Sequence, residues 1–321
     1  MDTRSIGSLD VSTVGLGCNN FGWHIDEAAS HAVVHAALDA GVTHVDTAEL
    51  YGDGASETIL GRALGSRRDE VVVATKFGHR AGDGPTGLAA PDAVRRSLEA
   101  SLRRLGTDRV DLYYLHRPDP ATPIADTLGA LADLVGEGKV REVACSGFSA
   151  RQLREAEAAA TGARFVAVQN EYSLLHREPE AGTLDVCREL DVAFVPYFPL
   201  KSGLLTGKYR RGDAAPAGSR LGGKDGSRFR GMGDRLLTDD NLDAVERLIA
   251  WAERRGRTIL ELAFAYLLAH EPVASVIAGA TKPEQVRANV AAAGWRLAPS
   301  DVDEVRGLLS ETDAAPNADA R

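Results

Sequence analysis

Val71-Val72-Val73-Ala74-Thr75-Lys76, then Pro91–Leu105, then Val110-Asp111-Leu112-Tyr113-Tyr114-Leu115-His116: the reading of this stretch decides the fold. The two outer runs are short, β-branched or aromatic, and apolar nearly throughout, as strands buried on both faces of a parallel sheet are. The middle run opens with proline at a first-turn position and ends at Gly106. Its Val94, Leu98, Leu102 and Leu105 fall on one stripe, which marks an amphipathic helix. Strand, helix, strand is the crossover unit that parallel sheets require.

Working outward, the same alternation recurs. Further strand-like runs are Thr13–Cys18, Val42–Thr47, Val140–Ser146, Phe165–Gln169, Ala193–Pro196 and Val273–Ile277. Helical patterns cover Asp26–Ala40, Ser56–Leu64, Pro123–Val135 behind a Thr122 N-cap, Ala150–Ala160 behind Ser149, Glu178–Leu190, Asn241–Arg255 and Pro283–Ala293. Eight strand-then-helix units predict a single α/β domain, a closed (β/α)8 or TIM barrel over residues 1–312, with an open doubly wound sheet as the rival. A hairpin over residues 4–11, turning at Gly7-Ser8, precedes it. The long segment Gly203–Thr238, rich in Gly, Arg and Ser, reads as an extended loop on the C-terminal face. Residues 313–321 read as a disordered tail.

A net charge of −9 over 321 residues argues against nucleic acid, whose phosphates need a basic surface. Three cysteines, Cys18, Cys145 and Cys187, form no CxxC and suit a reducing compartment. Residues 1–4 lack the apolar core of a signal peptide, and no apolar run reaches the roughly 18 residues of a membrane span. The expectation is a cytoplasmic protein with a small-molecule substrate and no membrane partner; a monomer and a homo-oligomer both remain open.

Reactive groups in a (β/α)8 barrel gather at the C-terminal ends of the strands. Asp46 ends the second strand run, Lys76 the third and His116 the fourth, with Tyr51 on the loop behind Asp46. A tyrosine ionises near pH ~10, so as an acid it gains from a neighbouring lysine cation, which favours the phenolate. Asp46 would hold Lys76, Tyr51 would protonate a carbonyl oxygen, and a neutral His116 would orient that oxygen. Taken singly, each residue fits a purely structural role as well; four on successive units point to chemistry.

Asp46-Thr47-Ala48-Glu49-Leu50-Tyr51-Gly52 resembles the D-T-A-x-x-Y-G signature of the aldo-keto reductases. Thr75-Lys76, Leu115-His116-Arg117, Val168–Ser173, Tyr197–Leu200, Gly203–Tyr209 and Gly279–Gln285 with Asn289 continue the resemblance in order along the chain. It implies an oxidoreductase that transfers hydride between NADPH, or alternatively NADH, and an aldehyde or ketone, with Asp46, Tyr51, Lys76 and His116 as the tetrad. It further implies that Tyr197 stacks on the nicotinamide, with Ser146 and Gln169 at its carboxamide and Cys18, Asn19 and Asp46 nearby. Phe198, Leu200, Ser202, Lys208 and Arg220 would meet the pyrophosphate. Gly279, Thr281, Gln285 and Asn289 would meet the adenosine end. By position, Trp23 and Phe77 join His116 as substrate contacts. The family pattern is broken at Gly147, Phe198, Gly279 and Ala288, where Asn, a small polar residue, Lys and an acidic residue are usual.

Two rival functions remain. Potassium-channel β subunits resemble this family, keep the cofactor and act as regulatory binding modules. A metal-dependent sugar isomerase barrel would need carboxylate and His ligands where Lys76 stands. No metal is expected: His31 and His35 share a helix face without an H-E-x-x-H arrangement. Gly82-Asp83-Gly84-Pro85-Thr86-Gly87 matches G-x-G-x-x-G literally but follows no strand directly, so it reads as a loop.

Overall fold

The computed structural model describes residues 1–79, 86–216, 219–222 and 231–310. The chain opens on an antiparallel hairpin, β1 (Thr3–Ile6) and β2 (Leu9–Ser12), with Ile6 opposite Leu9. Gly7, first of the two linking residues, has φ 55°, a left-handed conformation that glycine adopts without a Cβ clash.

Eight strands then run parallel: β3 (Val14–Gly17), β4 (His44–Asp46), β5 (Val72–Phe77), β6 (Val110–Leu115), β7 (Val140–Ser146), β8 (Phe165–Glu171), β9 (Ala193–Tyr197) and β10 (Val276–Gly279). They pair in chain order, and β10 returns to pair with β3. Between β9 and β10 the ladder shrinks to one parallel bridge, Phe194 opposite Val273, carried by Phe194 N–H to Pro272 O (2.6 Å) and Ala274 N–H to Phe194 O (2.9 Å). The sheet is therefore a nearly closed barrel, and the open doubly wound alternative falls. Around it lie α1 (Glu27–Asp39), α2 (Ala55–Leu64), α3 (Pro91–Leu105), α4 (Ile124–Gly136), α5 (Ala150–Ala159), α6 (Thr183–Glu189), α7 (Met232–Leu236), α8 (Asp239–Glu253), α9 (Ile259–Leu268), α10 (Pro283–Ala292) and α11 (Pro299–Ser310).

Successive strand residues point to opposite faces, so the strands sort the core into two layers. Val73, Phe77, Tyr113 and Val143 face outward with the helices. Val72, Ala74, Leu112, Tyr114, Ala144, Ala167 and Val195 face inward, where they meet Ile6, Leu9 and Val11 of the hairpin. Since β2 runs straight into β3, the hairpin closes the N-terminal end of the barrel. Arg4 fastens it there, donating to the carbonyls of Leu268 (2.8 Å), His270 (3.4 Å) and Val273.

Four local expectations differ from what is found. Thr122 does not cap α4; its hydroxyl donates to Asp119 (3.0 Å), and Pro123 is the capping residue. Glu178–Leu190 is a 3-10 turn, Glu178–Ala181, followed by α6, with Gly182 at φ 128° between them. The last strand starts at Val276 because residues 272–274 are taken by the bridge to β9. Helices α7, within the segment expected as an extended loop, α9 and α11 were not anticipated. Eight of the ten residues of α9 are buried, which erases the one-sided stripe that reveals a helix, although Thr258 and Glu261 form a capping box at its start. Ser149 does cap α5, with Gln152 completing the box. The three cysteines are free and buried. No described helix is long and apolar enough to cross a membrane. The Gly82–Gly87 match and the tail 313–321 fall largely or wholly outside the described residues, as does part of Gly203–Thr238.

Candidate active site

Lys76 shares the inward parity of Val72 and Ala74, so its side chain rises through the barrel interior and is fully buried. An ammonium has three N–H donors. Lys76 spends one on Asp46 Oδ1 (2.5 Å), one on the Thr47 carbonyl (3.0 Å) and one on the Tyr51 hydroxyl (3.5 Å). Asp46, at the end of β4, accepts at its other oxygen from Gln169 Nε2 (2.9 Å), tying β4 and β5 across the barrel to β8. The Thr47–Tyr51 loop is pinned to β5 by Thr47 N–H to Ala74 O (2.9 Å) and Glu49 N–H to Lys76 O (3.2 Å). Tyr51 then opens a 3-10 turn in which Gly52 (φ 58°) and Asp53 (φ 52°) are left-handed; a Cβ on Gly52 would lie 3.1 Å from Phe21 O. His116, one residue beyond β6, sets its ring edge-on to Tyr51 with centroids 6.0 Å apart.

The four side chains named from the sequence thus meet at one mouth, and the electrostatics differ from expectation in one respect. Burial pushes the Tyr51 hydroxyl above its usual value of about 10; the Lys76 charge pulls it down and Asp46 opposes that pull. Burial wins, so Tyr51 holds its proton at neutral pH rather than sitting partly as phenolate. Burial also works against the charge on Lys76, but Asp46 and Tyr51 outweigh it and leave the ammonium above its ordinary value. His116 is held well below 6.5, by burial first and then by Lys76, His79 and Arg117, so it is neutral, with Nδ1 unpartnered. The arrangement is a protonated phenol beside a permanent cation and a neutral imidazole. It can give up a proton and stabilise the charge left behind.

Two expected contacts are corrected. Phe77 points outward, because its neighbour Lys76 points inward; it is fully buried 4.6 Å from the Tyr113 ring and faces no substrate. Cys18 is enclosed, with its N–H given to Asp46 O (2.8 Å) and its carbonyl accepting from Ser56 (2.8 Å), so it supports the floor and presents nothing to a ligand. Trp23 is the one exposed large aromatic among the described residues, at 37% accessibility; its indole N–H donates to Asn19 O.

A second bay runs from β7 to β10. Ser146 is buried, and its hydroxyl has no partner among the described residues. Gln169 gives its NH2 to Asp46, which leaves its oxygen to accept. Tyr197, partly open, meets Phe198 edge-on at 5.4 Å. Phe198, Lys201 and Ser202 all have positive φ (53°, 44°, 57°), three of the five such non-glycine residues described. Such backbone strain collects at ligand sites, although the Lys201 and Gly203 N–H groups already donate to Phe198 O (2.9 Å) and Leu200 O (2.8 Å). Among the described residues the Ser202 hydroxyl meets only Met232 Sδ (3.2 Å), a weak acceptor, and Lys208 bends its ammonium over Gly203, 2.7 Å from where a Cβ would lie. At the far end, Thr281 N–H and hydroxyl both donate to Gln285 (2.7 and 3.2 Å), and Asn289 is buried. A Cβ on Gly279 would lie 3.2 Å from the side-chain tips of both Asn19 and Asn20, so the lysine usual in the family would push them back by a few tenths of an ångström. Leu200 N-caps the Lys201–Thr206 turn.

Three residues escaped the sequence reading. Asn20 joins the bay's two sides, accepting from Arg220 (2.5 Å) and donating to Ala280 O (3.4 Å); the Asn19-Asn20 pair just past a strand was the available signal. Arg117 fills the space left by Gly147, its Nη1 3.0 Å from where a Cβ would be. Glu57, fully buried on α2, accepts from Thr75 (2.6 Å) and Arg104 (2.6 Å), bracing the strand beside Lys76 from behind.

The profile of the aldo/keto reductase family matches residues 13–310. The chain is 36% identical to aldo-keto reductase str7 of Strobilurus tenacellus, covering 100% of this chain and 96% of that protein. It is 34% identical to aldo-keto reductase yakc [NADP(+)] of Schizosaccharomyces pombe (95% and 90%) and 35% identical to L-glyceraldehyde 3-phosphate reductase of Escherichia coli (88% and 84%). Among solved structures, the glycerol dehydrogenase AKR11B4 of Gluconobacter oxydans superposes with a TM-score of 0.82 at 30% identity, over 100% of this chain and 98% of that one. The match over residues 13–310, with relatives at 34–36% identity over most of the chain, is decisive: this chain belongs to the aldo/keto reductase family.

Proposed function

We propose that the protein reversibly reduces a small or sugar-like aldehyde or ketone to the alcohol, using NADPH in preference to NADH, with Tyr51 as the proton donor. The observation that carries this reading is the fully buried Lys76, whose three donors are shared among Asp46, the Thr47 carbonyl and Tyr51. When bound, the reduced nicotinamide supplies the hydride that reaches the carbonyl carbon. Tyr51 gives its proton to the carbonyl oxygen as negative charge builds there. Lys76 stabilises the phenolate that forms, Asp46 keeps Lys76 in place, and neutral His116 donates a hydrogen bond that fixes the carbonyl. Tyr197, Ser146 and Gln169 would hold the nicotinamide end, Asn19 and Asp46 its ribose, and Phe198, Leu200, Ser202, Lys208 and Arg220 the pyrophosphate. Gly279, Thr281, Gln285 and Asn289 would hold the adenosine. Exposed Lys282 and Arg287 on α10 favour a 2′-phosphate, and yakc carries NADP(+) in its name. Trp23 lies beside the substrate entrance. The names of a phosphotriose reductase and a glycerol dehydrogenase among the relatives favour a short polyhydroxylated carbonyl.

The test is oxidation of NADPH and NADH across a panel of short aldehydes and hydroxyketones, for wild type and Tyr51→Phe. The expected result is turnover in the wild type and a loss of roughly 10²- to 10⁴-fold in Tyr51→Phe with cofactor affinity kept. Because Tyr51 stays protonated and His116 neutral, the reduction rate should be flat from about pH 7 to 9, while alcohol oxidation rises with pH. Cofactor binding without turnover of any carbonyl would overturn the enzyme reading in favour of a regulatory module like the potassium-channel β subunits.

A further inference from the structure

Outside the barrel, the groove between α2 and α3 encloses about 580 Å³ lined by four arginines, Arg62, Arg68, Arg103 and Arg104, and by no carboxylate. In a chain with a net charge of −9, such an enclosure runs against the composition. We propose that it is a binding site for a small polyanion, of the chemical class of pyrophosphate or a phosphorylated metabolite.

The floor is rigid. A Cβ on Gly61 would lie 2.1 Å from the Leu105 carbonyl, so the two helices touch backbone to backbone below the cavity. Arg68 is held from behind by Asp111 (2.8 Å), with donations to Val71 O and Arg109 O (both 3.1 Å), and its buried Nε has no partner. Arg104 is anchored through Nε to Glu57 and through Nη2 to Ser101 (3.2 Å), which leaves Nη1. Arg62 engages only Nη1, with Glu27 on the solvent side (3.1 Å). Arg103 pairs with nothing among the described residues and keeps all five of its N–H donors. The carboxylates that pair with three of the four guanidiniums lie outside the lining. Both helices end here, and each C-terminus contributes about half a negative charge. That is small beside the guanidiniums, and the terminal carbonyls of Gly61 and Leu102 are already capped by Gly65 and Gly106 N–H. The volume falls in the range of about 300–1,000 Å³ usual for small-ligand sites, and guanidinium forks match phosphate oxygens in geometry.

The experiment is thermal unfolding of the full chain, saturated with NADP+ so that the dinucleotide bay is filled, against increasing sodium pyrophosphate, with sodium chloride at matched ionic strength as the reference. Wild type should show a saturable rise in midpoint of a few degrees that chloride does not reproduce. Arg62→Ser/Arg103→Ser removes two exposed side chains of which, among the described residues, only Arg62 is in an ion pair, and that an exposed one, so its midpoint without pyrophosphate should change little while the pyrophosphate response disappears. Arg103→Ser alone should weaken the response. No saturable response, or an equal response in the double variant, would overturn the proposal and leave a solvated basic face. If the chain does not bind NADP+, the reading of the mouth fails, yet the same contrast between wild type and variants still decides this site.

Discussion

The two ends of the barrel are made by the same strands and hold opposite contents. At the base, Ile6, Leu9 and Val11 meet Val72, Leu112 and Ala167 in an apolar layer. At the mouth, Lys76, four residues beyond Val72 on β5, and Asp46 at the end of β4 are as deeply buried as the base but charged, and every donor and acceptor that holds them there is a specific partner. The contrast teaches where each end draws its worth: the base supplies folding free energy, whereas the mouth supplies chemistry and is costly unless complete.

Lys76→Met should separate the ends most sharply. Removing the ammonium leaves Asp46 buried with one oxygen unpaired, which costs roughly 3–5 kcal/mol of stability and abolishes turnover. Lys76→Met combined with Asp46→Leu should recover most of that stability in a denaturant titration while activity stays lost; failure to recover would mean the pair is not the reason for the cost.

Leu9→Ala tests the base. It should cost about 3 kcal/mol through lost burial and a cavity under the strands, with KM and kcat within a factor of about two at a temperature where the variant is folded. A large fall in kcat would show that the base also sets the geometry of the mouth.

His44 lies between the layers, inward-facing on β4, fully buried, with both ring nitrogens unpartnered. Burial lowers it from 6.5 to about 4, against a raising influence from Asp46 and a further lowering by Lys76. Between those values the unfolded chain binds more protons, so stability is lost as pH falls from about 7 towards 4. The loss attributable to His44 between pH 7 and 5 is about 2 kcal/mol. His44→Leu should flatten that part of the acid limb in a pH series of urea titrations; an unchanged slope would assign the limb to other groups.

The barrel was legible because its strands are uniformly apolar and its helices carry stripes and stops, as in Val110–His116 and Pro91–Gly106. Helix α9 was not, since burial on all sides leaves no stripe. That Asp46, Lys76 and His116 stand at strand ends, with Tyr51 on the loop behind Asp46, was legible as well. Phe77 failed because being next to Lys76 in sequence puts it on the other face of the sheet. Cys18 failed because its backbone groups were already committed to Asp46 and Ser56, a matter of partners distant in sequence.

By itself the sequence determined the alternation of strands and helices, the hairpin before them, and which polar residues stand at strand ends, because period and punctuation are local properties of the chain. Only the tertiary structure decided that Gln169 reaches across to Asp46, that burial outweighs Lys76 and keeps Tyr51 protonated, and that four arginines, three on two helices and Arg68 on the turn after α2, share one cavity. Those outcomes depend on distance and on exclusion of water, and neither is written in the order of residues along a strand or helix.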